Sequence, residues 1–126
     1  LALISNAGYS NKRVSGLPMK IPTSIQECFE ILKEVVDKPS LDLIKNKKRE
    51  GLVDFHMDIG LFIRNNWLYA EDSPLIKALR EHGMTYYHED TLSALIIELF
   101  WEHLNGIEYE ESDFIERLAT MPSTLN

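Results

Sequence analysis

Between Ile25 and Val36 the apolar positions fall at Ile25, Cys28, Phe29, Leu32, Val35 and Val36, one stripe of a helix with 3.6 residues per turn. Ahead of it, Thr23 with Gln26, or Ser24 with Glu27, has the spacing of a capping box. Pro39 is expected to stop this helix, and Ser40 to cap a short second one over 41–46. A third helix is expected from about Glu50 to Asn66, with Leu52, Phe55, His56, Ile59, Phe62 and Ile63 on its main apolar face. Asp54, Asp58 and Asn65 share the opposite stripe, while Arg64 falls with Val53, Met57 and Gly60 on a second apolar flank. A glycine inside a helix costs ~1 kcal/mol relative to alanine, so Gly60 implies close approach by another backbone.

Ser73-Pro74 is a helix start, with Gly83 placed to end the helix that follows. Asp90 is the expected cap of a long apolar segment over 90–104, and Asn105-Gly106 its stop. Apolar residues cover most of that wheel; only Glu98 and Glu102, with Ala94 beside them, form a clear polar edge. A helix apolar on so many sides is central, with neighbours on two faces. Ser112 is the expected cap of a final short helix through Leu118. No strand-like alternation persists and no period of 20–50 residues repeats. The pattern predicts an all-α fold: a compact bundle of five to six helices around a central helix at about 90–104. Three segments are expected: a flexible arm over 1–21 rich in Ser, Asn, Gly and Pro, one helical domain over 22–120, and a frayed tail over 121–126.

Composition narrows the class. A chain of 126 residues that is 44% hydrophobic fits one packed domain. The longest apolar run, Leu92 to Trp101, is interrupted by Ser93 and Glu98 and falls short of the ~18 residues needed to span a bilayer. A single cysteine excludes an intramolecular disulfide framework, and a reducing cytoplasm is the expected setting. On its apolar face Cys28 has no basic group spaced to activate it, and it reads as a buried, inert thiol.

The formal charge of −7 is unevenly spread. Residues 1–21 carry Lys12, Arg13 and Lys20 without an acid, whereas Glu98, Glu102, Glu108, Glu110, Glu111, Asp113 and Glu116 face Arg117 alone. Such a field repels nucleic acid and anionic membrane and attracts basic surfaces. The one basic cluster, Lys45, Lys47, Lys48 and Arg49, reads as a solvated turn.

Catalytic motifs are largely missing. His82, His88, Glu89 and Asp90 are the only candidate metal ligands, and His88 reads better as a helix-start hydrogen-bonding residue. Asp54, His56 and Asp58 stand two residues apart and point away from one another on a helix. Glu98 and Glu102 lack the Glu-x-x-His spacing of a carboxylate-bridged metal bundle. Phosphate loops, zinc-cysteine pairs and nucleophile elbows are absent. No cofactor is expected, and the chain reads as a non-enzyme.

The stretch FIRNNW, residues 62–67, is the most unusual. As structure, Asn65 or Asn66 ends the helix in a left-handed turn, Arg64 finds an acceptor among Glu71, Asp72, Glu89, Asp90 and nearby carbonyls, and Trp67 folds over the end as a lid. As a site, Arg64, Asn65, Asn66 and Trp67 would face His88 and Asp90 across a crevice that takes an anion or small molecule, with Arg64 free of protein carboxylates.

GLFIRNNW, then EDSPLIKALREHGM, then HEDTLSALIIELFWEHLNG resembles a small bacterial domain family of unknown function. Its members carry an aliphatic-IRN-N-aromatic stretch and a His-x-Asp-(Asp/Thr)-x-Ser-x-Ile-Ile helix start. The resemblance covers about residues 22–106; it implies the helical architecture and transfers no catalytic residue.

Charge, then, carries the functional expectation. Glu98, Glu102, Glu108, Tyr109, Glu110, Glu111 and Asp113 are the expected partner-binding residues, the acids steering a basic protein and the aromatic anchoring it. By analogy with small acidic immunity proteins, that partner is toxin-like; neither nucleic acid nor membrane is expected to bind.

Overall fold

The computed structural model describes residues 20–122 and, before them, the backbone of 13–14 and 17–18, where Arg13–Val14 runs antiparallel to Leu17–Pro18. The rest of the expected arm and residues 123–126 of the expected tail lie outside the described residues. From Lys20 onward the fold is helical.

Ser24 caps helix α1 (Ile25–Val35), its hydroxyl accepting the Glu27 N–H at 3.1 Å. Glu27 reaches back in turn and accepts the Thr23 N–H at 2.8 Å, which completes the expected reciprocal start one residue earlier than the usual pairing. The stripe from Ile25 to Val35 is buried. Helix α2 (Lys38–Lys45) departs from expectation: Asp37 is its cap, accepting the Ser40 N–H at 2.9 Å, and Pro39 lies in its first turn. A proline costs nothing there, because the first N–H groups of a helix have no partner to lose.

The expected third helix is not continuous. A 3-10 segment (Arg49–Phe55) leads through a turn into α3 (Ile59–Ile63), which widens into a π-helical turn (Arg64–Leu68) closed by the Tyr69 N–H on the Arg64 carbonyl at 2.9 Å. Because the helix changes pitch twice, a single wheel misplaces its flanks. Val53 and Met57 are 62% and 70% exposed, while Arg64, expected beside them, is 3% exposed. The main face fares better: Leu52, Phe55, Ile59, Phe62 and Ile63 are buried and His56 is half-buried.

Helix α4 (Pro74–Glu81) begins as expected, with Ser73 at the cap and Gly83 at φ +112° just past its end. Helix α5 (Glu89–Leu104) is the central rod. It packs against α1, α2 and α3, the 3-10 segment, the π-turn and the last helix, α6 (Phe114–Thr120). Leu92, Leu95, Ile96, Ile97, Leu99 and Phe100 are all buried, as the all-round apolar wheel requires. Its cap is His88, whose Nδ1 accepts the Asp90 N–H at 3.1 Å; Asp90 turns inward to another task. Gly106, at φ +82°, ends it. Before α6 a short 3-10 turn (Glu111–Asp113) replaces the expected Ser112 cap, leaving Asp113 at the cap position without a side-chain bond.

Two side chains on the last turns of α5 reach across to the basic loop. Trp101 Nε1 donates to the Lys47 carbonyl at 2.8 Å, and Asn105 Nδ2 to the Lys45 carbonyl at 3.0 Å. Together they pin the connection between α2 and the 3-10 segment. Among the described residues no helix is long and apolar enough to cross a membrane.

Candidate functional site

The two unusual stretches of the sequence meet inside the protein. Arg64 Nη1 donates to Ser93 Oγ at 3.0 Å, Nη2 donates to the His56 carbonyl at 3.1 Å, and Nε lies 3.4 Å from Asp90 Oδ1. The Ser93 hydroxyl donates onward to the Asp90 carbonyl at 3.0 Å. A guanidinium buried this deeply needs a carboxylate and several acceptors, and it has them. The crevice expected to hold Arg64 open to an anion therefore does not form. Trp67 is not a lid but a core residue, fully buried with its ring edge-on to Phe62 at 5.6 Å; among the described residues its Nε1–H has no acceptor.

Asn65 and Asn66 do not supply a left-handed stop. They sit within the π-turn, where Asn66 Nδ2 donates to the Phe62 carbonyl at 3.0 Å, and the positive φ comes later, at Asp72. His88 is spent on capping α5. His56 Nδ1 lies 3.4 Å from Arg64 Nη1 and Nε2 lies 3.6 Å from Asp90 Oδ1. His56 also lines a cleft of about 280 Å³ between the 3-10 segment and α5, together with Arg49 and Glu98.

The acidic candidates divide into two groups. Glu98 and Glu102 turn inward onto Arg117 of α6, with Nη2 to Glu98 Oε2 at 2.6 Å, Nη1 to Glu102 Oε1 at 2.8 Å and Nη2 to Glu102 Oε2 at 2.7 Å. Arg49 closes the cluster from the other side, 2.8 Å from Glu98 Oε2, its guanidinium 5.0 Å from the Trp101 ring. These hydrogen bonds from Arg117 hold the Glu102 carboxyl below the ordinary glutamate value against the opposing effect of burial. Two expected partner-binding acids are thus clamps that tie α6 and the 3-10 segment to α5. Arg117 itself went unnoticed in the sequence as a structural residue, although its isolation among seven acids was the available signal.

Glu108, Glu110, Glu111 and Asp113 stay on the surface. Between them Tyr109 turns inward, its ring edge-on to Phe29 at 6.0 Å, and burial pushes its hydroxyl well above the usual range. Tyr109 is accordingly an inward anchor, half-buried against the core. His82 meets Glu111 at 3.1 Å; among the described residues no three His, Cys, Asp or Glu side chains are grouped to hold a metal.

A family model described as a domain of unknown function, DUF6794, matches residues 21–104. The chain belongs to the DUF6794 family. The DUF6794 span contains both sides of the Arg64–Asp90–Ser93 contact and ends with the last residue of α5. Arg117, α6 and the exposed acids from Glu108 to Asp113 lie beyond it. No curated protein and no solved structure gave a significant match.

Proposed function

We propose that this DUF6794 chain is a cytoplasmic, non-enzymatic binding module whose acidic ridge docks a basic protein surface, in the manner of an immunity-type inhibitor masking a basic toxin. The observation that carries the reading is the posture of residues 107–113. Ile107 is tied back to α5 by its N–H on the Glu102 carbonyl at 2.9 Å, Tyr109 is anchored on Phe29, and Phe114 is buried. Between these fixed points Glu108, Glu110 and Asp113 face solvent without an ion pair among the described residues, beside an Ile107 that is 48% exposed. A charged ridge whose backbone is pinned around an apolar residue is pre-organised for association, because less backbone freedom remains to be lost. The groups with chemical potential, Cys28, His56, Arg64, Asp90 and Ser93, are consumed by packing and mutual bonding, which favours binding over catalysis.

The test is pull-down from native extract with a chain carrying Glu108→Lys, Glu110→Lys and Glu111→Lys. Loss of a basic partner recovered by the unaltered chain, with wild-type helicity retained, supports the reading. Undiminished recovery of the same partner overturns it.

A further inference from the structure

A cavity of about 710 Å³ lies away from the ridge, over α4. Its floor is apolar, from buried Leu68 and Ile76, and Tyr87 forms one wall. That size and mixture of apolar surface with a few polar groups matches sites for small molecules.

Four charges line it: Asp72, Lys77, Arg80 and Glu81. Among the described residues none of the four makes an ion pair, although elsewhere in the protein neighbouring opposite charges do pair, as Lys47 does with Asp54 and Arg117 with Glu98. Lys77 and Arg80 stand three residues apart on one face of the helix, where two cations reach a single anionic group. The Arg80 guanidinium is held 5.9 Å from the Tyr87 ring, which leaves its N–H edge for a ligand. Asp72 sits ahead of the helix in a left-handed turn at φ 56°, the positive-φ non-glycine among the described residues.

We propose that this cavity binds a small zwitterion with an apolar body, of the size of a dipeptide with free ends. Its carboxylate lies between Lys77 and Arg80, its ammonium at Asp72, and its side chains on Leu68, Ile76 and Tyr87. Asp72 precedes the helix, whereas Lys77 and Arg80 lie within it, so the two signs are set apart along the cavity. A simple anion would gain the two cations but meet Asp72 and Glu81 as like charges; a simple cation would meet the reverse. Only a ligand carrying both signs satisfies both pairs.

The experiment is an NMR titration of the ¹⁵N-labelled full chain with three probes: the dipeptide leucyl-phenylalanine, its N-acetyl form and its C-terminal amide. The free dipeptide is expected to give saturable shifts confined to 68–81 and Tyr87. Each blocked form should bind roughly tenfold more weakly, the loss of one charge-assisted contact. Arg80→Ala and Asp72→Asn should each weaken the free dipeptide by a similar factor with the rest of the spectrum unchanged. Absence of saturable shifts, equal binding of a blocked form, or unchanged binding in both variants would each overturn the proposal. Reversing Glu108 and Glu110 should leave the titration unaltered, so failure here and failure of the acidic ridge are separate results.

Discussion

The missing side chain of Gly60 is what admits the guanidinium of Arg64: a Cβ at position 60 would stand 2.8 Å from Arg64 Nη1. The close approach read from the sequence is real, but a side chain from the same element makes it. Arg64 cannot simply swing away, because Ser93, the His56 carbonyl and Asp90 hold it from three directions. Gly60→Ala gains about 1 kcal/mol in helix preference. Against that stands a displaced, buried cation, at a cost of about 1–3 kcal/mol for forced overlap in a packed site. The net expectation is destabilisation by up to about 2 kcal/mol, read as a lower midpoint in urea at unchanged slope. A more stable alanine variant would mean that the cation relaxes freely.

Truncating the arginine should cost more than replacing it. Arg64→Ala leaves a cavity, an unpaired Asp90 and a Ser93 hydroxyl without its donor, for a loss of about 3–5 kcal/mol. Arg64→Met fills most of the same space and spares the desolvation of a cation, so it should recover a good part of that loss. Equal destabilisation by both, measured by chemical denaturation, would place the whole value of Arg64 in its charge.

These residues show where the sequence is legible. Stripes in uninterrupted α-helix were readable: Ile25 to Val35 and Leu92 to Phe100 are buried as their periodicity requires. So were the Ser24 and Ser73 caps and the Gly83 and Gly106 stops, since local chemistry fixes them. The segment from Arg49 to Leu68 was not, because its 3-10, α and π turns rotate each side chain by different angles. Val53 and Met57 are exposed for that one reason, whereas Arg64 meets two of its expected acceptors, Asp90 and a backbone carbonyl. The roles of Glu98 and Glu102 were hidden differently: their partner Arg117 is 15 and 19 residues away, on a helix whose docking no local pattern encodes.

Stability should fall in acid through Glu102. Its folded-state carboxyl is held below the ordinary value of 4.5, first by the Arg117 hydrogen bonds. The unfolded chain therefore takes up the proton first as pH drops. The contribution is whole above about pH 4.5 and is lost as pH falls toward the folded value. Glu102→Gln should lower stability at pH 7 and flatten the decline below pH 4.5. An equally steep decline in the variant would assign the acid sensitivity elsewhere.

A second, higher window belongs to His103, which stacks on Phe29 at 4.6 Å between centroids. Burial, and then the nearby Lys33 charge, lowers its affinity for a proton below the ordinary value of 6.5. Here too the unfolded chain binds the proton first, so stability is full above about pH 6.5 and begins to fall beneath it. His103→Phe, which keeps a ring against Phe29, should abolish that upper phase and leave the lower one. Thermal midpoints measured from about pH 8 down to about pH 2 separate the two.

Cys28 offers a probe of how tightly α1 closes on the core. It has no exposed surface, and burial raises its thiol far above the ordinary range, so almost no thiolate exists in the folded state. Reaction with a thiol reagent must wait for an opening that detaches α1. For a domain of ordinary stability that makes labelling in native buffer at least ~1,000-fold slower than in denaturant. Gly60→Ala, if its loss of stability is global, should speed labelling by the factor its change in urea midpoint predicts, roughly tenfold for each 1.4 kcal/mol. Rapid labelling of the unaltered chain would mean that the face carrying Cys28, Phe29 and Leu32 opens independently of the α5 core.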